Sequence, residues 1–290
     1  MTAKYSDIPG QFIPLHYHYQ MLMDQERMRG FRDAISYFLP DGGKLVDLGG
    51  GTGILSFFAA QKASHVWCVE LNPELAETAR RLIEINNCAD RVEVVEADAT
   101  RFVPPLEVDV VVCEMLHAAM LREKQIQVIR AFKTNYRSRF PGKLPLFVPE
   151  ATLLALQAVS QDFIFSGYHA PVPIMFNPYS SQDSTRQLSE PVVYAMLRYH
   201  QDLSEQISWR GNLSIKHKGT MNALRFITKN VLAIEIEKNS AIDWHNFYMV
   251  LPLEAPLVVK EGDQVCVEFN YSAGGEVSEL AASIKVSHAG

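Results

Sequence analysis

A glycine-rich turn is the first feature of this sequence that could bind a ligand. Gly49, Gly51 and Gly53 stand between a run typical of a buried strand and the start of a helical pattern. Glycines at such a place let a ligand approach the backbone, and the first N–H groups of the following helix are free to bind it. The third glycine comes one position earlier than in the dinucleotide fingerprint, and no phosphate-binding lysine follows. The turn therefore predicts a nucleotide-type pocket and excludes a P-loop.

Acidic residues mark the ends of the first three predicted strands. Asp47 lies in the first, Glu70 ends the second, and Asp98 follows the third, next to Ala99. An acid in the place of Glu70 can accept both ribose hydroxyls, and Asp98 is placed to meet an adenine amino group. A ribose acid and an adenine acid without phosphate-binding groups describe a pocket for S-adenosylmethionine. The predicted cofactor-binding residues of this crevice are Asp47, Gly49, Gly51, Gly53, Glu70, Asp98 and Ala99.

Two glutamates, Glu114 and Glu123, follow the fourth predicted strand and lie nine positions apart. In one continuous helix their side chains would point about 180° apart, since a turn takes about 3.6 residues. Their convergence on one substrate therefore demands a hairpin between them. Two converging carboxylates would bind a planar guanidinium by charge-assisted hydrogen bonds and turn one nitrogen toward a methyl sulfonium. As like charges they would also raise the pKa of one of the two. We call residues 114–123 the acidic loop.

The glycine turn and the acids together resemble the class I S-adenosylmethionine-dependent methyltransferases, and two segments resemble the protein arginine methyltransferases in particular. Residues 18–27 match that family's helix His-x-x-Met-Leu-x-Asp-x-x-Arg at every specified position, and the acidic loop has the spacing of its double-glutamate loop. The resemblance implies that this helix covers the cofactor and that Arg27 meets the methionine carboxylate. It also implies that Asp24 helps to hold the acidic loop, with His18 and Met21 in supporting places.

The resemblance covers most of the chain. Residues 147–153 resemble the family's junction into its β-barrel domain, 167–187 occupy the place of its dimerisation arm, and Phe12 is the counterpart of a tyrosine set over the active site. Family members usually dimerise through the arm, so the resemblance implies a homodimer. It also implies methyl transfer to a guanidino nitrogen of arginine in a protein or peptide, with Glu114 and Glu123 as the catalytic residues.

The sequence departs from the family around the acceptor. Met-Leu-His-Ala stands at 115–118 where the family has Trp-Met-Gly-Tyr, and Ile-Asp-Trp-His stands at 242–245 where it has Thr-His-Trp. The matching histidine is thus absent, and His117 or His245 could accept the proton instead. Trp244 either walls the acceptor pocket or packs in the core. These changes leave open a small guanidine, amine or hydroxyl metabolite as the acceptor.

The elements that must carry these residues first alternate between strand and helix. Continuous apolar runs predict strands at 44–48, 65–69, 92–96 and 108–113, and helical patterns predict helices at 54–63 and 73–86. Strands that are apolar on both faces and separated by helices predict a parallel sheet covered by helices on both sides. We therefore expect a Rossmann-like, doubly wound cofactor-binding domain at 44–148, preceded by cofactor-covering helices within residues 1–43.

Beyond residue 148, short alternating segments take over. They predict strands at 192–199, 207–215, 222–228, 231–237, 246–251 and 264–271, with turn residues such as Lys229-Asn230 between them. This spacing predicts an antiparallel β-barrel or sandwich domain at 149–290. Residues 167–187 fit neither pattern. With three prolines and the apolar residues Ile174, Met175 and Phe176, they predict an inserted arm that docks through exposed side chains.

Composition bounds the remaining possibilities. The net charge of −6, without a basic run, disfavours a nucleic-acid partner. No uncharged apolar run approaches the roughly 18 residues of a membrane span, and the N-terminus lacks a signal-like stretch, so we expect a cytoplasmic protein without a membrane partner. The four cysteines stand singly and no cluster has metal-ligand spacing, which predicts no metal. A noncatalytic cofactor-binding subunit is a further alternative, which the retention of both glutamates disfavours.

Overall fold

The computed structural model describes residues 13–181 and 183–289, so Phe12 lies outside the described residues. Residues 18–27, expected as one helix, belong to two: α1 (Leu15–Met23) and α2 (Gln25–Phe38). The break is at Asp24, whose carboxylate accepts the Arg27 backbone N–H at 3.0 Å. An aspartate at this place satisfies a free N–H of the next helix and so favours a new helix start. The expectation of one continuous helix was wrong for this reason.

A parallel sheet of five strands forms the first half of the fold. Its order is β3-β2-β1-β4-β5 and every neighbouring pair is parallel, which confirms the Rossmann-like prediction. The order reverses between β1 and β4, so a crevice opens outside their carboxyl ends, where open α/β sheets bind ligands. The strands are β1 (Lys44–Leu48), β2 (His65–Glu70), β3 (Val92–Glu96), β4 (Val110–Cys113) and β5 (Leu146–Val148), and the helices are α3 (Ile54–Ala60), α4 (Pro73–Ile85) and α5 (Gln125–Arg139).

The second half is built of antiparallel sheets stacked as a sandwich, without a closed barrel among the residues described. The larger sheet runs β10-β6-β13-β15-β9, with β11 added on β6 and β14 on β13; the second runs β12-β16-β17, and a short third sheet pairs β7 with β8. The strands are β6 (Ala151–Gln161), β7 (Ile164–Phe165), β8 (Tyr168–His169), β9 (Ile174–Phe176), β10 (Thr185–Gln187), β11 (Val192–Arg198), β12 (Gln206–Ser214), β13 (Gly219–Glu235), β14 (Ser240–His245), β15 (Tyr248–Val259), β16 (Gln264–Ser272) and β17 (Lys285–His288), with α6 (Val277–Ser283) before the last. Tyr194, Phe226 and Phe269 pack edge to face between the two sheets.

One predicted turn is absent from this half. Lys229-Asn230 was expected to separate two strands, but β13 runs through it as a single strand of 17 residues. Asn230 is fully buried and its side-chain oxygen accepts the Thr152 hydroxyl at 2.8 Å. A polar side chain that finds a partner across the sheet costs little, so its presence did not mark a turn.

The arm is folded back on its own chain. β9 pairs with β15, and Ile174 and Phe176 are half-buried against Val159 and Val250. Of the three apolar residues expected to be exposed, Met175 alone is exposed. Four further exposed apolar side chains lie at the base of the arm: Ile164, Phe165, Tyr168 and Val172. No helix in the described part of the chain is long and apolar enough to cross a membrane.

Candidate active site

The glycine turn lies at the carboxyl end of β1, between α1 and the acidic loop. Gly49 and Gly51 adopt φ values of 77° and 55°, in the left-handed region that L side chains rarely enter. A Cβ at Gly49 would lie 2.3 Å from Cε of Met115, and one at Gly51 would lie 2.9 Å from Cε1 of His18. Both conformation and close contact therefore require glycine here. Gly53, with φ 81°, leads into α3.

Glu70 braces this turn from the end of β2. Its Oε2 accepts the Gly51 N–H and its Oε1 accepts the Asn72 N–H, each at 2.9 Å. An ionised carboxylate has about four acceptor positions, so both oxygens retain a lone pair for ribose hydroxyls. Glu70 can therefore bind the ribose, as the sequence predicts, and at the same time hold the glycine turn in place.

The other two acids of the crevice have partners within the protein. Asp47 is buried beneath the turn and its Oδ2 accepts the Ser56 hydroxyl at 2.7 Å. Burial raises the pKa of Asp47 to about 6, and the bond from Ser56 opposes this. Asp98 accepts the N–H and the hydroxyl of Thr100, at 2.8 and 2.7 Å, through one oxygen. Its other oxygen makes no hydrogen bond within residues 13–181 and 183–289, whereas the carboxylate of Asp47 is directed to α3.

Ala99, beside Asp98, is buried at 7% exposure. The bonds that Thr100 makes to Asp98 hold the loop that follows β3.

Arg27 enters the crevice from the first turn of α2. Its side chain is 11% exposed, its guanidinium pairs with the carboxylate of Glu114, and it lies 5.5 Å from the centre of the Trp244 ring. Burial lowers the pKa of Arg27 to about 10, while the carboxylates of Glu123 and Asp24 oppose that shift. The group therefore stays cationic at neutral pH.

Asp24 links the N-terminal helices to the β-sandwich. Its Oδ2 accepts the indole N–H of Trp244 at 3.2 Å, and the Asp24 N–H donates to the Met21 carbonyl at 3.2 Å. Trp244 is 3% exposed and packs on Phe31 with ring centres 6.2 Å apart. It is thus a core residue that positions Asp24. An indole cannot take up a proton, so this contact supplies no proton relay.

Replacing Asp24 by alanine removes a helix cap and the bond from Trp244. We expect this change to lower the free energy of unfolding by about 1–2 kcal/mol, as cap and hydrogen-bond losses do, in urea denaturation. The matched control is Asp33→Ala on α2, where the carboxylate pairs with its neighbour Arg32 near solvent and the change should stay within about 0.5 kcal/mol. Equal stabilities of the two variants would contradict the role given to Asp24.

The acidic loop turns sharply between its glutamates. Ala119, Met120 and Arg122 have φ values of 55°, 59° and 63°, and a short 3-10 turn covers Ala118–Met120. Both glutamates act on Arg27: Glu114 pairs with its guanidinium, and Glu123 acts on it through its charge. The hairpin expected from the spacing is therefore present.

The two histidines proposed as proton acceptors are held differently. His117 lies 3.2 Å through Nδ1 from the Ala118 carbonyl, within the acidic loop. His245 ends β14 with its Nδ1 buried and without a hydrogen-bond partner, and its backbone N–H donates to the Tyr179 hydroxyl at 3.3 Å. Burial lowers the pKa of both side chains. Both are therefore neutral at pH 7.

Glu123 has the perturbed carboxyl group expected from the sequence, but for another reason. Burial raises the pKa of Glu123 to about 7, and the positive charges of Arg27 and Arg122 oppose the shift. Repulsion by the second glutamate was the expected cause, whereas loss of water is the main one. The carboxyl group is therefore partly protonated at neutral pH.

Several residues of the site escaped the sequence analysis. Gln125 is fully buried; its Oε1 accepts the Met115 N–H at 2.9 Å and its Nε2 donates to the Cys113 carbonyl at 2.7 Å, so it fixes the start of the acidic loop. Thr228 and Asn246 contact the loop from the β-sandwich. They lie more than 100 positions away in sequence, and no local pattern could have indicated them.

Two polar atoms at this crevice lack partners and indicate what it can hold. Nε of Arg27 and Nε2 of His18 are buried without a hydrogen bond, and burial lowers the pKa of His18, with the charge of Arg27 contributing. A buried cation with an unpaired N–H suits a carboxylate, and a neutral imidazole suits a hydroxyl or amine. These residues fit S-adenosylmethionine: Arg27 would hold its carboxylate, Glu70 its ribose and Asp98 its adenine. Over residues 13–181 and 183–289, no cluster of His, Cys, Asp or Glu could hold a metal ion.

Comparison with known proteins places this crevice in context. The family model described as a methyltransferase domain matches residues 45–138. An uncharacterized protein of Methanothermobacter thermautotrophicus is 31% identical over 270 residues, covering 92% of this chain and 97% of that protein. The Arginine N(omega)-methyltransferase of Streptomyces achromogenes subsp. streptozoticus is 29% identical over 163 residues, covering 54% of this chain and 44% of that enzyme.

A solved structure shares the fold over nearly the whole chain. The Trypanosoma brucei PRMT1 enzyme-prozyme heterotetrameric complex with AdoHcy superposes with a TM-score of 0.71 at 15% identity, covering 95% of this chain and 98% of that one. The likeness therefore extends through both the parallel sheet and the antiparallel sandwich.

Proposed function

We propose that this S-adenosylmethionine-dependent methyltransferase is a divergent member of the protein arginine methyltransferase family and that it methylates a guanidino nitrogen of arginine in a protein or peptide. The observation that carries this proposal is that the acidic loop already binds a guanidinium, that of Arg27, through Glu114 and beside Glu123. A carboxylate that pairs with one guanidinium, together with a second one near enough to act on its charge, is suited to hold another guanidinium of the same shape.

The residues of the crevice have different roles in the proposed reaction. When bound, S-adenosylmethionine supplies a methyl group on an electrophilic sulfonium. Arg27 would bind the carboxylate of the cofactor and Glu70 its ribose. Glu114 and Glu123 orient the acceptor nitrogen toward the crevice. Such a site contributes by aligning donor and nucleophile at contact distance, which can supply about 7–11 kcal/mol of the barrier reduction.

Glu123 is the group that takes up the proton from the acceptor. Its pKa of about 7 matches the range in which a carboxyl group can act as a base at neutral pH. Glu114 instead forms an ion pair with Arg27. The two glutamates thus differ in role: Glu114 orients the acceptor through its contact, and Glu123 exchanges a proton.

Methyl transfer should therefore rise with pH through neutrality. A carboxyl group with a raised pKa is uncharged below that pKa, so Glu123 loses its charge as the pH falls below about 7. With saturating cofactor, we expect the initial rate to rise up to about tenfold per pH unit on the acid side and to level off above neutrality. The Glu123→Gln variant should be slow at every pH and lack this step. If the initial rate of that variant rose over the same pH range, the titrating group would be one other than Glu123.

A small guanidine is the second candidate acceptor. The name of the Streptomyces relative specifies arginine rather than a protein, and the residues of the acidic loop differ from the family where the acceptor binds. Labelled methyl transfer from S-adenosylmethionine into host lysate, separated into protein and small solutes, distinguishes the two. Label in protein supports the leading proposal, label in small solutes supports the second, and label in neither contradicts both.

We further propose that the protein works as a homodimer formed through the arm. The support is the run of exposed apolar side chains at the base of the arm, formed by Ile164, Phe165, Tyr168 and Val172. Exposed apolar patches of this kind mark interaction surfaces. We also propose that the cytoplasm is its location.

A further inference from the structure

The backbone of the acidic loop is held in place by residues outside it. Three of its non-glycine residues, Ala119, Met120 and Arg122, adopt left-handed φ values. Such conformations persist where the surrounding structure over-determines them, and they cluster at functional sites. The contacts that hold this loop therefore bear on the placement of Glu114 and Glu123.

Thr228 makes the most central of these contacts. It lies in β13, is fully buried, and its hydroxyl oxygen accepts the Ala119 N–H at 2.7 Å. Ala119 is itself fully buried and has φ 55° and ψ 21°. A buried N–H without a partner is costly, so this hydroxyl holds the loop at its most unusual residue.

Asn246 holds the loop three positions earlier. Its side-chain Nδ2 donates to the Leu116 carbonyl at 2.6 Å, and its backbone N–H donates to the Thr228 carbonyl at 3.0 Å. The two contacts on the loop are thereby joined through one backbone hydrogen bond. A shift of either residue would be passed on to the other.

The loop is held on its far side as well. The Gly274 N–H donates to the Met120 carbonyl at 2.7 Å, and the Arg122 N–H donates to the Gly275 carbonyl at 2.8 Å. The contacts from Thr228, Asn246 and this glycine pair all fall between the two glutamates. The β-sandwich therefore fixes the course of the loop from one carboxylate to the other.

We propose that Thr228 and Asn246 are positioning residues that set the separation and direction of Glu114 and Glu123 for the acceptor. The proposal rests on the proposed function, since it assigns these residues to the acceptor half of the same site. Neither residue makes a hydrogen bond to the predicted cofactor-binding residues. Their loss should therefore affect acceptor use while leaving cofactor affinity unchanged.

The test replaces Thr228 by valine, which keeps the shape of the side chain but cannot accept the Ala119 N–H. Hydrogen exchange of residues 115–123, followed by mass spectrometry, should become about tenfold faster or more, since a fold-change of ten corresponds to the loss of one modest hydrogen bond. Thr228→Ser, which keeps the hydroxyl, should exchange nearly as the wild type does. Thr220→Val, an exposed change on the same strand, is the matched control.

Transfer gives the second readout. With label from S-adenosylmethionine and host lysate as acceptor, Thr228→Val should lower the maximal rate about tenfold or more, because small misplacements cost up to about 100-fold. The KM for S-adenosylmethionine should be unchanged, and Thr228→Ser should recover most of the rate. Wild-type exchange and rate in the valine variant, or an equal loss in the serine variant, would overturn the proposal.

A second variant and a readout that does not depend on the acceptor complete the test. If Thr228→Val does not fold, Asn246→Ala tests the linked contact by the same two readouts, with the same expectations. If the wild type transfers no label to lysate, the proposed function fails, yet exchange of the loop still shows whether Thr228 and Asn246 hold it. Unchanged exchange in both variants would reject the positioning role whatever the acceptor is.

Discussion

Replacement of Glu114 by glutamine is expected to lower methyl transfer by about 100- to 1,000-fold, as the loss of one preorganised charge at a reacting centre does. The carboxylate of Glu114 is 10% exposed and already pairs with a guanidinium. Glutamine keeps the shape of the side chain but offers one acceptor oxygen without a charge, so a cationic acceptor loses its strongest contact.

The affinity of the Glu114→Gln variant for the cofactor should rise or stay unchanged. Without Glu114, the guanidinium of Arg27 loses its ion-pair partner inside the crevice, which makes it more available to a carboxylate. Calorimetric titration with S-adenosylhomocysteine measures this directly. Glu276→Gln is the control, since that carboxylate is exposed and lies 4.0 Å from Arg122 outside the crevice. Normal transfer by Glu114→Gln would remove Glu114 from the catalytic residues.

Replacement of Arg27 by methionine should have the largest effect on cofactor binding. A charge-assisted hydrogen bond to a buried group contributes about 1.5–3 kcal/mol, so the dissociation constant of S-adenosylhomocysteine should rise about 10- to 150-fold. Methionine keeps much of the apolar stem that packs near Trp244. Arg29→Met on the exposed side of α2, where the arginine pairs with Glu26, should bind normally.

A second ligand identifies the part of the cofactor that Arg27 holds. Methylthioadenosine has the nucleoside but no amino-acid carboxylate. Its affinity should be nearly the same for the wild type and for Arg27→Met, because the lost contact was never present. An equal loss for both ligands would show that Arg27 shapes the crevice as a whole and does not hold the carboxylate.

The first half of the fold could be predicted closely from the sequence. β1 and β3 have the expected bounds, because short runs of apolar residues between helical patterns have few other interpretations. The short strand β5 was missed, since three residues carry no periodic signal. The break at Asp24 was also missed, because the same residues suit both a helix interior and a new helix start.

The second half was predictable in class but less so in detail. The strand break expected at Lys229-Asn230 does not occur, and the side-chain oxygen of Asn230 instead accepts a hydrogen bond from Thr152 on the neighbouring strand. β6 was not expected as a strand of 11 residues, because its nearly continuous apolar character has no alternation. Contacts between distant strands decide these elements, and the sequence does not display them.

The candidate site, too, was predictable in one part and not in the other. The residues around the glycine turn follow from local spacing, and Glu70 does accept a hydrogen bond from the turn. The position of Trp244 in the core, with its indole bound to Asp24, depends on how the sandwich meets α2. The neutral state of His117 and His245 and the raised pKa of Glu123 depend on burial. Burial arises from the assembled fold, and short motifs do not specify it.

The measurement that tests the central claim most directly is the identity of the amino acid that receives the methyl group. Wild-type protein and the Glu114→Gln variant are each incubated with labelled S-adenosylmethionine and host lysate, and the protein and solute fractions are hydrolysed and separated. The account predicts that the label from the wild type elutes as arginine methylated on a guanidino nitrogen and is nearly absent with the variant. Label on lysine, on a carboxyl group or on a hydroxyl group, or equal label with Glu114→Gln, would contradict it.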